Sequence, residues 1–175
     1  MKSIFLTGEV QTGKSTVIQK VLLLLPSLVY GGFRTVSAAP ITKGAMLDVF
    51  IEKAWEETTH DADHLVGSRL RKGLFIPHPE VFDAAGVEIL ASKPAGAALI
   101  LMDELGTMEN DSKLFQKAVM DTLDGPLPVI GVIKPKHTDF LDMIRTHPRS
   151  TIFEVTEENR DILPSRIAEL LLNLI

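Results

Sequence analysis

A glycine-rich segment near the start of the chain combines a lysine with two hydroxyl residues, Gly8-Glu9-Val10-Gln11-Thr12-Gly13-Lys14-Ser15-Thr16. It matches G-x-x-x-x-G-K-[ST], the pattern of a phosphate-binding loop. Its glycines let the backbone wrap a phosphate without an interfering Cβ, and the amides and the helix N-terminus attract an anion. The alternative, a glycine-rich turn before an ordinary helix, is disfavoured by the complete pattern between a predicted strand and a predicted helix. We therefore predict that all nine residues bind a nucleotide.

Two acids follow a continuous apolar run in Leu99-Ile100-Leu101-Met102-Asp103-Glu104. Such a run is typical of a central parallel strand, and α/β folds bind ligands where these strands end. We predict that Asp103 holds Mg²⁺ through water, with Ser15 as a further ligand, and that Glu104 activates a water near the γ-phosphate. Lys14 should reach the β and γ phosphates, so Lys14 and Glu104 are the predicted catalytic residues. An acid pair in a solvated turn is the alternative, which the phosphate-binding loop disfavours.

The identity of the nucleotide base is not fixed by these motifs. Asp103-Glu104-Leu105-Gly106 matches the D-x-x-G of GTPases, but the guanine-reading N-K-x-D is absent, so we assign no guanine specificity. Asn159-Arg160-Asp161 lies between a predicted strand and the last predicted helix, and we predict that Asn159 and Arg160 bind the nucleotide. The local pattern is equally consistent with Asp161 capping the helix and Arg160 being solvated.

Several other polar residues are weaker candidates. Lys134 follows a buried strand, at a position where a polar group can contact the γ-phosphate, and His137 is nearby. Two solvated loop residues are the more common outcome of that pattern. The candidates for charge stabilisation, which the sequence does not rank, are Arg34, Arg69, Arg71, Lys72 and Arg145.

The elements that must position these residues alternate between strands and helices. A strand over 3–7 precedes the phosphate-binding loop, and a helix over 15–25, stopped by Pro26, follows it. This alternation continues to the end of the chain and predicts a mostly parallel sheet flanked by helices, the α/β fold of P-loop NTPases. Residues 31–72 read as a β-rich antiparallel insert, within one domain that spans residues 1–175. Further strands are predicted at 97–102, 128–133 and 151–155, and further helices at 78–90, 110–124, 138–145 and 163–174.

The composition excludes several classes of protein. The chain has 175 residues, a net charge of −5 and no cysteine, which excludes disulfides, thiolate zinc sites and cysteine nucleophiles. The negative charge gives no strong signal for nucleic-acid binding. The first predicted strand begins at residue 3, which leaves no room for a signal peptide, and the apolar runs are too short to span a membrane. We expect a soluble cytoplasmic protein.

Four pieces of the chain carry a family resemblance: Gly8 to Thr16, Gly32 to Thr35, Asp103 to Glu109 and Val155 to Pro164. On these pieces the chain resembles the cancer-related nucleoside-triphosphatase family and its bacterial and archaeal relatives, small P-loop proteins. The resemblance implies slow, Mg²⁺-dependent hydrolysis of ATP, GTP and other nucleoside triphosphates on a RecA-like or kinase-like core. The chain differs from the family between residues 36 and 72, where it has no clear copy of an Arg-x-Gly-Phe-like segment.

Three functions fit these residues. The leading hypothesis is an Mg²⁺-dependent nucleoside-triphosphatase, because phosphoryl transfer needs positioning and electrostatic stabilisation rather than covalent chemistry. A small nucleotide kinase would also need an acceptor pocket and an arginine-bearing lid, which the insert could supply, but Glu104 directly after Asp103 favours water as the acceptor. The third is a nucleotide-binding accessory protein of molybdenum-cofactor assembly. The sequence does not indicate a protein partner.

Overall fold

A single mixed sheet organises the computed structural model, which describes residues 2–71 and 74–175. Within these residues the sheet has eight strands, which are β1 (Ser3–Thr7), β2 (Tyr30–Ala38), β3 (Ala45–Lys53), β4 (Leu65–Leu70), β5 (Phe75–Pro77), β6 (Leu99–Leu105), β7 (Val129–Ile133) and β8 (Ser150–Glu154). They lie in the order β5-β4-β3-β2-β6-β7-β1-β8 from edge to edge.

The helices lie close to their predicted positions. The stretch predicted as one helix over 78–90 is interrupted, because a π-helical turn at Phe82–Gly86 separates α2 (Pro79–Val81) from α3 (Val87–Ala91). Gly86 lies against Phe115, and a Cβ at this position would lie 2.6 Å from the ring. The helices are α1 (Lys14–Leu24), α2 (Pro79–Val81), α3 (Val87–Ala91), α4 (Lys113–Asp124), α5 (Asp139–Thr146) and α6 (Leu163–Leu172).

The strand pairings correct the predicted boundary of the antiparallel insert. β2 pairs in parallel with β6 over residues 30–34 and antiparallel with β3 over residues 33–38. The parallel sheet therefore includes the start of the stretch predicted as an insert. The antiparallel part continues through β3, β4 and β5, so it extends past the predicted end at residue 72 to Pro77. It lengthens the central sheet instead of forming a separate layer.

Gly32 explains how β2 joins the parallel sheet. Its φ is +96°, and a Cβ there would collide with the backbone of Leu101 on β6. Glycine is the residue that tolerates both this conformation and this approach. Gly32 therefore allows a close backbone contact between β2 and β6.

Two apolar clusters cover the two faces of the sheet. Leu99 and Leu101 of β6 pack with residues of α1 and α6, whereas Ile100 and Met102 pack with residues of α4 and α5. This alternation is the period-two pattern of a strand with both faces buried. Because α1 covers one face, the first turn of α1 lies on the same side of β6 as Leu99 and Leu101. Among the described residues, no helix is both long enough and apolar enough to cross a membrane.

Candidate functional site

The glycine-rich loop joins β1 to α1 and closes tightly around its own backbone. Gly8 has a φ of +138°, and a Cβ there would lie 2.6 Å from the carbonyl oxygen of Val155. Gly13 has a φ of +96° immediately before α1 begins at Lys14. Both positions therefore need glycine, and the loop presents its backbone and the start of α1 to the same space. This is the local geometry that a phosphate-binding loop requires.

The Lys14 side chain reaches back across this loop. Its Nζ donates hydrogen bonds to the carbonyl oxygens of Gly8 at 2.9 Å and Glu9 at 2.6 Å. Burial lowers the pKa of Lys14, the charges of Glu104 and Glu9 oppose that effect, and the charge of Lys134 adds to it. The ammonium group is therefore held at the centre of the loop, where it interacts electrostatically with Glu104 and Lys134 from two other segments of the chain.

A cleft of about 570 Å³ opens above the loop. It brings together the loop, the acid at the end of β6 and the segment that follows β7, three parts that are far apart in the sequence. Parallel strands end at the same edge of a sheet, which is why these segments meet. The lining residues are Gly8, Glu9, Val10, Gln11, Gly13, Lys14, Ser15, Thr16, Glu104, Lys134, Pro135 and Lys136.

Thr12 is the residue of the predicted nine that does not line the cleft. Its hydroxyl donates to the carbonyl oxygen of Glu9 at 3.0 Å, and its amide bonds the same oxygen at 3.4 Å. These bonds close the turn of the loop from behind. The structure therefore brings eight of the nine loop residues to the cleft, and their contacts with a nucleotide stay a prediction.

Glu104 reaches the cleft through an irregularity in β6. Its φ is +68°, a conformation that residues other than glycine rarely adopt, and the pairing of β6 with β7 shifts register between Met102 and Leu105. Irregularities of this kind re-aim side chains at the edges of sheets. The Glu104 carboxylate lies 3.4 Å from the Lys134 ammonium, and both side chains are about two-fifths exposed at 39% and 36%.

Asp103 lies beneath Glu104 and does not line the cleft. Strand alternation after Leu99 and Leu101 places it on the α1 face of the sheet, beside Arg34 of β2. Its Oδ1 is buried and has no hydrogen-bond partner among the described residues. Burial raises the pKa of Asp103 to about 6, the Glu104 charge adds to this rise, and the Arg34 guanidinium opposes it.

These observations fit the predicted Mg²⁺ ligands. Mg²⁺ prefers oxygen ligands and keeps several waters, so it needs only one or two protein groups beside the phosphates. The orphaned oxygen of Asp103 and the Ser15 hydroxyl at the start of α1 supply such groups on one face of the sheet. No cluster of three or more His, Asp or Glu side chains suited to a metal ion occurs in residues 2–71 and 74–175. The donor set therefore suits a metal that is shared with a phosphate.

Lys134 lines the cleft, although the sequence pattern favoured a solvated loop residue. Its stem crosses Gly106, where a Cβ would lie 2.8 Å from the Lys134 Cδ. Its amide donates to the carbonyl oxygen of Leu105 at 2.9 Å, so the segment after β7 is fixed to the end of β6. His137, by contrast, is exposed and pairs with Asp142 at 3.0 Å. The glycine opposite Lys134 is the signal that local pattern analysis missed.

Glu109 is a buried acid that the sequence analysis did not single out as functional. Its side chain is fully buried, and its Oε2 accepts a hydrogen bond from the Gly106 amide at 3.0 Å. The other oxygen, Oε1, has no partner among the described residues. Burial raises the pKa of Glu109 to about 7. Glu109 therefore closes the loop that follows Glu104 and sets the position of the glycine beneath Lys134.

Asn159 and Arg160 occupy different places beside the phosphate-binding loop. The Asn159 side chain stays within its own turn, because it accepts from the Thr156 amide at 2.9 Å and donates to the Glu154 carbonyl oxygen at 2.8 Å. Arg160 lines a small cavity with Gly13 next to the start of α1. Asp161 does not cap α6 and instead pairs with Lys20 at 3.1 Å. The structure thus brings Arg160 to the loop and uses Asn159 to shape the turn.

The other basic candidates are also separated by the structure. Arg34 donates to the carbonyl oxygen of Glu56 and lies next to Asp103. Arg145 is structural, since its guanidinium binds the carbonyl oxygens of Lys134 and Lys136 and the Asp142 carboxylate. Arg69 lines a second cavity that also touches Glu104 and Lys134. Lys72 lies outside the described residues.

Comparisons with known proteins place the chain in one family. The family model described as NTPase matches residues 3–168. The nucleoside-triphosphatase THEP1 of Methanosarcina barkeri is 32% identical over 172 residues, which cover 96% of both chains. The cancer-related nucleoside-triphosphatase homolog of Bos taurus is 30% identical over 183 residues, which cover 97% of this chain and 96% of the relative.

Solved structures agree with this placement. The solution structure of a human cancer-related nucleoside triphosphatase matches with a TM-score of 0.69 and 26% identity, over 99% of this chain and 98% of that one. The crystal structure of THEP1 from Aquifex aeolicus matches in fold, with a TM-score of 0.69 at 23% identity, over 97% of this chain and 98% of that one. The sequence resemblance is thereby confirmed, and the chain belongs to the NTPase family, together with THEP1 and the cancer-related nucleoside-triphosphatases of bacteria, archaea and eukaryotes.

Proposed function

We propose that this protein is an Mg²⁺-dependent nucleoside-triphosphatase that converts ATP, GTP and other nucleoside triphosphates to diphosphates and phosphate. The observation that supports this most strongly is the meeting of Lys14, Glu104 and Lys134 in one cleft above a phosphate-binding loop. A cation held at the loop, an acid beyond it and a second cation beside that acid suit the transfer of a phosphoryl group to water. The relatives named as nucleoside-triphosphatases support the same reaction.

The residues of the cleft divide into those that hold the triphosphate and those that act on water. In our proposal the loop amides and the Lys14 ammonium bind the β and γ phosphates, and Arg160 binds the nucleotide from its side of the loop. Ser15 and Asp103 would hold Mg²⁺, which when bound neutralises charge on the phosphates. Asp103 would bind the cation as a carboxylate, and the positive charge would offset the cost of burying it.

Glu104 is the proposed partner of the attacking water. Its carboxylate accepts a hydrogen bond from that water and orients the oxygen toward the γ-phosphorus. The new bond forms between the water oxygen and phosphorus while the bond to the β,γ-bridging oxygen breaks, and one water proton passes to the Glu104 carboxylate and from there to solvent. Lys134, beside Glu104, stabilises negative charge on the oxygens of the γ-phosphoryl group during its transfer.

Phosphate release from eight ribo- and deoxyribonucleoside triphosphates, with and without Mg²⁺, tests this proposal. We expect release from several of them, a stop when EDTA removes the metal, and recovery when Mg²⁺ is added back. Lys14→Ala should nearly abolish release and weaken nucleotide binding while the protein stays folded, because Lys14 is the one cation held within the loop. Lys113→Ala, an exposed lysine of α4, is the matched control and should behave as wild type.

Two results would contradict the proposal. Equal turnover in EDTA would show that hydrolysis does not need the metal. Unchanged turnover in folded Lys14→Ala would show that the loop does not bind the phosphates as proposed. A protein that binds nucleotides tightly but releases no phosphate would instead support the accessory-protein alternative.

A further inference from the structure

A second cavity of about 490 Å³ lies on the far side of Glu104 and Lys134 from the phosphate-binding loop. These two side chains line both cavities, so the cavities meet at the charged pair. The volume of the second cavity is within the range of small-molecule sites. The hydrolysis of a triphosphate in the first cleft makes no use of this space.

The antiparallel part of the sheet builds most of this second cavity. Thr35 and Ser37 come from β2, Val49 from β3, Arg69 from β4 and Phe75 from β5. Thr107 and Met108, from the loop after β6, close the side next to Glu104. The strands that extend the parallel sheet therefore form a wall facing the reacting end of the first cleft.

The charges of the lining favour an anion. Lys134 and Arg69 are both cationic, and Glu104 is the single acid of the lining. Arg69 is exposed and makes no side-chain hydrogen bond or ion pair with any residue that the structure describes. A guanidinium can bind two oxygens of a phosphate at once, and the hydroxyls of Ser37 and Thr107 add neutral donors.

The rest of the lining favours a flat apolar group attached to that anion. Phe75 is half-buried, and Val49 and Met108 present further apolar surface. Aromatic rings and methionine sulfur pack well against another ring. A phosphomonoester joined to an aromatic base combines both requirements in one molecule.

We propose that the second cavity binds a nucleoside 5′-monophosphate, and that the γ-phosphoryl group of a triphosphate in the first cleft is transferred to it. This inference rests on the proposed function, since it takes the first cleft as the triphosphate site. A bond forms between the γ-phosphorus and a monophosphate oxygen while the bond to the β,γ-bridging oxygen breaks. The triphosphate (charge −4) and the monophosphate dianion give two diphosphates of charge −3, so no proton is released or consumed. Water takes the acceptor place when the second cavity is empty.

The first test measures binding alone. Equilibrium dialysis would use radiolabelled AMP, GMP, CMP and UMP with protein whose first cleft is saturated with Mg²⁺ and the β,γ-imido analogue of ATP. We expect at least one monophosphate to bind under these conditions, and the corresponding nucleoside to bind more weakly. Arg69→Ala should weaken binding about tenfold or more, the value of a charge-assisted contact. Arg69→Lys should restore part of it, and Arg166→Ala, a stacked arginine of α6, should have no effect.

The second test measures transfer from γ-labelled ATP. We expect labelled diphosphate of the added monophosphate, and less of it in Arg69→Ala. No binding of any of the four monophosphates, or their complete displacement by the imido analogue, would overturn the second site. Binding with phosphate release but no labelled diphosphate would overturn the transfer and leave the hydrolase proposal intact. Absence of phosphate release would contradict the hydrolase proposal alone. The dialysis and label-transfer results would still show whether the second cavity binds a monophosphate and accepts the phosphoryl group.

Discussion

Glu104 combines a strained backbone with a charged partner at the edge of the cleft. Its φ is +68°, and its carboxylate forms an ion pair with Lys134. Both features direct its side chain into the cleft. Left-handed residues other than glycine cost free energy and concentrate at functional sites. The strain at Glu104 therefore supports its proposed role.

The buried carboxyl group of Glu109 should make the stability of the protein depend on pH. Burial raises its pKa to about 7, so the folded state favours the protonated acid. Its contribution to stability is present in full below the pKa of the unfolded chain and is lost as pH rises through about 7. The free energy of unfolding should fall by about 3 kcal/mol from this group between pH 4.5 and pH 8.

Glu109→Gln should remove that contribution to the pH dependence, because a carboxamide carries no charge. Urea unfolding of metal-free protein at pH 5 and pH 8 measures it as the difference between wild type and variant. Asp103, whose pKa is also raised, stays in both proteins and cancels. Glu88→Gln, an exposed acid of α3, should keep the wild-type slope. Parallel pH profiles for wild type and Glu109→Gln would contradict the raised pKa of Glu109.

At the scale of elements, the order of strands and helices was predictable and the pairing of β2 was not. β1, β6 and β7 are short apolar runs, and their helices carry apolar stripes that local patterns reveal. β2 pairs antiparallel with β3, the next strand along the chain, and in parallel with β6, which is far away in the sequence. Local patterns carry no register for such contacts. The insert boundary at residue 31 was wrong for this reason.

The glycine-rich loop gives a prediction for the β1–α1 element. Gly8→Ala should weaken nucleotide binding by more than tenfold and lower the melting temperature, because the new Cβ would lie 2.6 Å from the Val155 carbonyl oxygen. Gly96→Ala is the matched control, since Gly96 also has a positive φ, +80°, but a methyl group at this position would have no other atom within 4 Å. The control should cost only about 1 kcal/mol of stability, without loss of binding.

Calorimetric titration with the imido analogue and thermal unfolding would be measured on both variants. Equal losses in the two would show that backbone strain alone is responsible. Normal binding by Gly8→Ala would contradict the tight loop.

At the scale of the whole molecule, one sheet links the antiparallel strands to the cleft above the glycine-rich loop. Phe33 of β2, Ile51 of β3 and Val66 of β4 share an apolar cluster with Phe115 and Val119 of α4. This cluster crosses the boundary between the predicted insert and the parallel core. We therefore expect the chain to unfold as one unit, which is the single domain predicted from its length.

Trp55 makes this prediction measurable. It is the only tryptophan, follows β3 and packs against the shared cluster, so its fluorescence reports on the antiparallel strands. Far-UV circular dichroism reports mainly on the helices around the parallel strands. The two probes should give coincident urea transitions. An earlier fluorescence transition would mean that the antiparallel part unfolds independently.

The candidate site was predictable where chemistry is concentrated in a motif. The loop and Asp103-Glu104 are contiguous signatures, and the structure brings eight loop residues and Glu104 into one cleft. Lys134 reaches that cleft by crossing Gly106, a contact between distant segments of the chain that no local pattern encodes. Asn159 also depends on contacts that its local pattern does not reveal. It lies in a turn beside the glycine-rich loop, but its side chain is hydrogen-bonded to the backbone of that turn.

The most direct test of the account is Glu104→Gln, in which single-turnover hydrolysis and nucleotide binding are measured on the same protein. In our proposal Glu104 acts on water and not on the triphosphate, so the hydrolysis rate should fall by about 10²–10⁴-fold while nucleotide affinity stays similar or rises slightly. Glu88→Gln should hydrolyse at the wild-type rate. A normal rate with normal affinity would contradict the proposed role of Glu104 and favour a nucleotide-binding module, and an equal loss of rate and affinity would point to a disturbed metal site.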